Sequence, residues 1–301
     1  MISITAPIQP ALDHVKRILF SPFSWEKWFV LGFCAFLAHL GEGGSYSYNG
    51  HTFDHTRLAG SCSAAIWMGA HLVLVATLGA LLLLLAMALT ALFVWLGSRG
   101  AFMFLDGVAR NRAAVAEPWA RFRTAGNDLF RFRIVLLLVF FGFFGLCAGA
   151  GFLFVLPALR AHSFGHAPLI PLVSVGGFMI LGALTYLAVA LLLMDFVVPI
   201  MYRRNLDVGQ AWHVFRHEIL PGYAWRFAGF YLMTLLLWIP ALVLAILTIC
   251  LTCCVAILPY LSSVALLPIT VFFRCYSLCF LEQFGDEWRI IEVEPTPESA
   301  S

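Results

Sequence analysis

Residues 71–97 read HLVLVATLGALLLLLAMALTALFVWLG, without one Asp, Glu, Lys or Arg. A bilayer core of about 30 Å is crossed by roughly 20 apolar residues, and this run exceeds that. Hydrocarbon offers the backbone no hydrogen-bonding partner, so the run has to be a helix. The rest of the chain agrees. Of 301 residues, 62% are hydrophobic and 11% charged, against about 25% charged in soluble domains. That excludes an ordinary soluble globule, and the short alternating segments of a membrane barrel are missing too.

Six apolar segments emerge, at 24–41, 67–97, 133–158, 168–201, 227–252 and 256–281. The first is short, its uncharged part running only from Trp28 to Leu40, and would need tilt or local thinning of the bilayer. The expected fold is therefore an all-α polytopic bundle of about six transmembrane helices. No small-residue cleavage site follows the first apolar run, so it reads as an inserted segment rather than a removed signal.

Charge sets the direction. With the N-terminus inside, sixteen Lys and Arg fall on the inner side and only Arg57 and Arg160 outside. This is a strong positive-inside pattern and predicts cytoplasmic N- and C-termini in a plasma (inner) membrane. The outer stretch 41–61 is rich in Gly, Ser and Tyr and reads as irregular. Residues 292–301, EVEPTPESAS, are acidic and Pro-containing, which predicts a disordered tail.

Comparable blocks precede the first, third and fifth segments: ALDHVKRILFSPFSWEKW (11–28), PWARFRTAGNDLFRFR (118–133) and AWHVFRHEILPGYAWRF (211–227). Aligned on Leu12, Trp119 and Trp212, they match at Val15/Phe122/Phe215, Lys16/Arg123/Arg216 and Trp25/Phe132/Trp225. Ile8, Leu12, Val15 and Leu19 follow helical spacing, as do Val208, Ala211, Trp212, Phe215 and Ile219. These are amphipathic helices suited to the inner membrane face. Their basic sides suit anionic headgroups, and the aromatic collar suits the water–lipid boundary. Pro22 and Pro221 then break the flat helix before the chain turns inward. The expected organisation is one membrane domain, 1–291, of three parallel units at about 1–107, 108–204 and 205–291, each an interfacial helix plus a transmembrane hairpin.

The stretch DFVVPIMYRRNLDVGQAWHVFRHEILPGYAWRFAGFYL (195–232) resembles a widespread group of prokaryotic membrane domains. That group includes the membrane domain attached to some glycerophosphodiester phosphodiesterases. The shared features are a helix exit with Pro199, a short polar loop, an Ala-aromatic amphipathic helix and a Trp-Arg turn into the next helix. They are architectural, so the resemblance implies membrane residence and no phosphodiesterase activity.

Ionisable residues in apolar runs are functional candidates by default. Arg99, Asp195 and Arg274 each precede the inner end of the second helix of a unit. They predict a buried cluster in which Asp195 bridges the two bases, the alternative being that each side chain reaches water separately. Lys16, Arg123, Arg216, Trp25 and Trp225 are the candidate headgroup contacts. His51, His55, His162 and His166 have i, i+4 spacing but sit in glycine-rich context, and make weak metal candidates. The eight cysteines, mostly in apolar runs, read as small buried hydrophobes rather than a disulfide or metal framework. Gly142, Gly145 and Gly149 read as close helix-packing positions.

No His-Glu-x-x-His, phosphate-cradling glycine loop or Gly-x-Ser-x-Gly elbow is present. The expectation is a non-enzymatic membrane protein without a cofactor. It would organise lipid or partner proteins at the cytoplasmic leaflet, its basic loops answering to topology and membrane lipids rather than nucleic acid. The alternative is a transporter or small-solute channel between the hairpins.

Overall fold

The computed structural model describes residues 2–21, 23–40, 72–160, 169–251 and 259–291. Helices dominate: α1 (Ile8–Phe20), α2 (Trp25–Leu40), α3 (Leu72–Ala109), α4 (Ala116–Arg121), α5 (Arg123–Arg160) and α6 (Leu169–Leu192). After a π-helical turn (Leu193–Val197) come α7 (Val198–Arg204) and α8 (Val208–Val214). A second π turn (Phe215–Ile219) leads to α9 (Ala224–Leu251), α10 (Pro259–Ala265), α11 (Leu267–Glu282) and a 3₁₀ turn, Asp286–Trp288.

Four stretches are long and apolar enough to cross a membrane: Ala76–Ala109, Arg123–Leu156, Leu172–Arg204 and Ala224–Cys250. Each divides into an open arm and an end packed on the base, wholly buried on α3 and one-sided on α5 and α9. On α3, Leu81 to Leu85 are all 54–65% exposed, so the protein covers no face of the helix there. Each such leucine left in water would forgo roughly 1.5–3 kcal/mol; lipid is the environment that covers them.

The open apolar stretches have matching lengths. They run from Leu74 to Phe93 on α3, Val135 to Phe154 on α5, Leu172 to Leu191 on α6 and Leu232 to Ile249 on α9. Eighteen to twenty residues at 1.5 Å each give about 27–30 Å, the thickness of a hydrocarbon core.

Below this belt the chain closes into a base. All thirteen residues from Gly97 to Ala109 of α3 are buried, so this segment threads the middle of it. Around it sit α2, α4, α5, α7 and α11. α1 lays Ala11, Val15, Ile18 and Leu19 inward, and packs chiefly on α11. The chain's first residues are stitched to that helix: Ser3 N–H donates to Gln283 Oε1 at 2.6 Å, Gln283 Nε2 to the Ser3 carbonyl at 2.9 Å, and the Tyr276 hydroxyl to the Ile4 carbonyl at 2.9 Å.

The first and sixth segments are not among the four long apolar stretches. α2 has 16 residues, about 24 Å, and lies along the base segment of α3. A Cβ at Gly100 would stand 2.6 Å from the Ala38 nitrogen, and one at Gly32 would meet Val264 of α10 at 2.5 Å. The sixth segment is not one helix in its described part: it breaks at Leu266 between α10 and α11. The repeated blocks also differ. α1 is a separate helix, whereas in the second block α4 stops at Arg121 and α5 begins at Arg123, so Arg123 and Phe132 belong to the long helix itself.

Close packing by glycine occurs elsewhere than expected. Nothing lies within 4 Å of a Cβ placed at Gly142, Gly145 or Gly149, whereas one at Gly182 would strike the Phe143 ring. Phe140 stacks beside Tyr186 at 4.5 Å in the same α5–α6 seam.

Candidate functional site

Where the four arms meet the base they leave a cavity of about 880 Å³. Its walls are apolar: Phe93, Leu137, Leu187, Leu235 and Trp238 come from the four arms. Its floor carries Arg133, Asp195, Arg274 and Tyr231. The floor coincides with the lower edge of the belt. Arg133 is two residues before Val135, Tyr231 one before Leu232, and Asp195 four after Leu191.

Pro199 explains how the floor is built. In an α-helix the N–H of residue 198 would bond the carbonyl of 194, and that of 199 the carbonyl of 195. Pro199 has no N–H. The chain answers with a π turn, in which the Val198 N–H reaches the Leu193 carbonyl. The Met194 carbonyl then has no backbone donor, since its i+5 residue is the proline. Arg274 of α11 supplies one, its Nη1 donating at 2.7 Å. Arg133 of α5 donates Nη2 to Met194 Sδ. One π turn thus draws two guanidiniums from two other helices to a single point, with the Asp195 carboxylate and the Tyr231 side chain beside it. Such turns recur at functional sites.

The expected trio has different company. Asp195 and Arg274 share the floor with Arg133. Arg99 lies against Trp95 and Trp119, its guanidinium carbon 4.3 and 4.9 Å from their ring centroids. Its Nη2 and the Trp95 Nε1 both donate to Asn127 Oδ1 at 3.2 Å. Gly126 makes room, for a Cβ there would meet Arg99 Cγ at 2.8 Å. Cation–π contacts of this kind contribute about 0.5–2 kcal/mol each.

Arg133 escapes sequence reading because it counts as the last charge of a basic loop. Its helix starts ten residues earlier, at Arg123, which lifts it about 15 Å. The fully buried Asp106 escapes likewise. It accepts from Arg112 Nε and Nη2 at 3.1 and 2.9 Å and from the Tyr202 hydroxyl at 2.9 Å, with Arg110 at 3.5 Å. Arg112 also binds Glu117, and Glu117 and Asp106 together raise the Arg112 pKa above its ordinary value.

Lys16, Arg123 and Arg216 are exposed, and Trp25 and Trp225 are 66% and 85% exposed. No group of three metal-ligating side chains occurs among the described residues; His51, His55, His162 and His166 lie outside them, as do Pro22 and the tail 292–301. His39 lines the cavity, its Nδ1 donating to the Ala35 carbonyl at 2.7 Å. Cys34, Cys275 and Cys279 are buried in the base.

Apolar arms of bilayer length on a helical base define an α-helical membrane protein. The chain belongs to the family of unknown function DUF7544, whose model matches residues 2–257. Neither a curated protein nor a solved structure matches it. The family match carries no link to the membrane domains of glycerophosphodiester phosphodiesterases.

Proposed function

We propose that this is a non-enzymatic protein of a prokaryotic plasma membrane that holds an anionic amphiphile, such as an acidic lipid, in its cytoplasmic leaflet. The carrying observation is the cavity: apolar walls facing the belt above a floor with two guanidiniums and one carboxylate. The floor's formal balance is one positive charge, which suits a phosphodiester or carboxylate head, while the walls suit an acyl chain. The volume falls in the range of roughly 300–1,000 Å³ used by ligand sites.

The sixteen-to-two charge asymmetry supports a base on the cytoplasmic side. The exposed Lys16, Arg123, Arg216, Trp25 and Trp225 support contact of the base with headgroups. Six chain crossings in three units remain the organisation this reading adopts, four of them matched by helices long and apolar enough to span.

Native mass spectrometry from mild detergent tests the reading. Wild-type protein should retain phosphatidylglycerol over phosphatidylcholine. Ala190→Trp fills the cavity, and Arg133→Leu with Arg274→Leu leaves the Asp195 carboxylate as the floor's one charge; both should lose the lipid. Retention equal to wild type in a folded Ala190→Trp protein would overturn the reading. The same cavity favours a second reading, a transporter of an amphiphilic or small solute between the arms. Accumulation of a labelled short-chain phosphatidylglycerol on the far side of protein-containing vesicles distinguishes transport from holding.

A further inference from the structure

A second cavity, of about 410 Å³, opens on the opposite side of the base and has a different character. Four guanidiniums line it: Arg110 just past α3, Arg121 ending α4, Arg203 on α7 and Arg289 after the 3₁₀ turn. Tyr202 and Asp286 complete its polar lining. Four bases against one acid in one concavity repel one another, and an anion sharing the space relieves that repulsion.

The arginines come from four separate elements, and each is oriented from outside the cavity. Asp106 holds Arg110 at 3.5 Å and Glu282 holds Arg289 at 2.8 Å. Arg203 Nε donates to the Glu287 carbonyl at 3.3 Å, and the Arg121 guanidinium carbon lies 5.3 Å from the centre of the Phe122 ring. Neither Asp106 nor Glu282 is part of the lining. The carboxylates therefore fix two guanidiniums from behind, and a carbonyl and a ring steady the other two. Tyr202, whose hydroxyl donates to Asp106, ties the wall to the buried end of α3.

We propose that this cavity binds a phosphate group. Guanidinium forks match phosphate oxygens in pairs, and the volume admits the phosphate with part of what it is attached to. The site is separate from the apolar cavity and its assignment does not depend on that reading. The phosphate has two sources at such a position: the headgroup of a lipid, or a soluble phosphorylated molecule on the base side.

The experiment uses the full chain in detergent and in nanodiscs. In detergent, inorganic pyrophosphate is titrated and the melting temperature followed. In nanodiscs, phosphatidylcholine alone is compared with phosphatidylcholine plus phosphatidic acid. Stabilisation by pyrophosphate with no lipid effect assigns a soluble ligand, the reverse assigns a headgroup, and both together leave the phosphate itself as the recognised unit. Arg121→Gln with Arg203→Gln should weaken the effect roughly tenfold or more, because a ring and a carbonyl, rather than carboxylates, steady these two. Arg131→Gln, exposed and outside the cavity, should leave it unchanged. If the double variant does not fold, Arg121→Gln alone gives the same comparison. Wild-type protein that responds to neither probe, or a folded Arg121→Gln, Arg203→Gln protein that responds like wild type, overturns the proposal.

Discussion

Asp106 shows how one residue can organise an end of the molecule. It is fully buried, yet it gathers two arginines and a tyrosine. Removing one partner from a buried ionic network costs about 3–5 kcal/mol, because the others are left without compensation. Asp106→Ala should therefore sharply lower the melting temperature in detergent, while Tyr202→Phe should cost only about 1 kcal/mol. Equal, small losses in both would show that the network contributes little. His14 gives a pH prediction. Burial first, then Arg17 and Arg289, lower its pKa below the usual 6.5, against the opposing pull of Asp13. The unfolded chain thus binds the proton more readily, and stability falls as pH drops below about 6.5 towards the folded-state pKa. Melting followed from neutral to mildly acidic pH should show this fall, and His14→Gln should flatten it.

Elements explain what could and could not be read in advance. The long runs around Leu81 and Leu236 announce themselves by composition, and Asp195 and Arg274 stand out because charge is rare in such runs. Arg133 does not stand out, since nothing local tells a loop arginine from one ten residues into a helix. α2 is ambiguous for a related reason: an apolar face against the α3 base and an apolar crossing have the same composition. The π turns leave a signature. In both, the fifth residue of the turn is followed by one residue and then proline, as Val197-Val198-Pro199 and Ile219-Leu220-Pro221. Pro199→Ala would return an N–H able to close a regular helical ladder onto the Asp195 carbonyl. The π turn should relax, the Met194 carbonyl should regain its backbone donor Val198, and Arg274 should lose its acceptor. Hydrogen exchange should then find the new amide at position 199 protected, and retained anionic lipid should fall. A new amide at position 199 that exchanges as freely as an unbonded one would show that proline is not the cause.

At the scale of the molecule, two solvents act on one chain. The arms are covered by hydrocarbon, and the base buries its own surface in the way a soluble domain does, with Phe196, Phe215, Phe227, Phe230 and Phe280 in one aromatic cluster. The charged floor marks the boundary between them, which is why a residue pair that looks deeply sunk in sequence lies at the edge of the belt. A spin label at Leu83→Cys should be open to oxygen and closed to a water-soluble nickel chelate, whereas one at Glu287→Cys should show the reverse. Chelate access at position 83 would mean that the belt does not face lipid.

The stitch between Ser3 and Gln283 sets an order of assembly. Translation delivers α1 first and α11 last, so the opening helix has to wait, with its greasy stripe uncovered, until the ribosome has passed the closing one. A chain stalled after α9 would carry four inserted arms and an unfinished base, and it would offer quality-control proteases a clear mark of incompleteness.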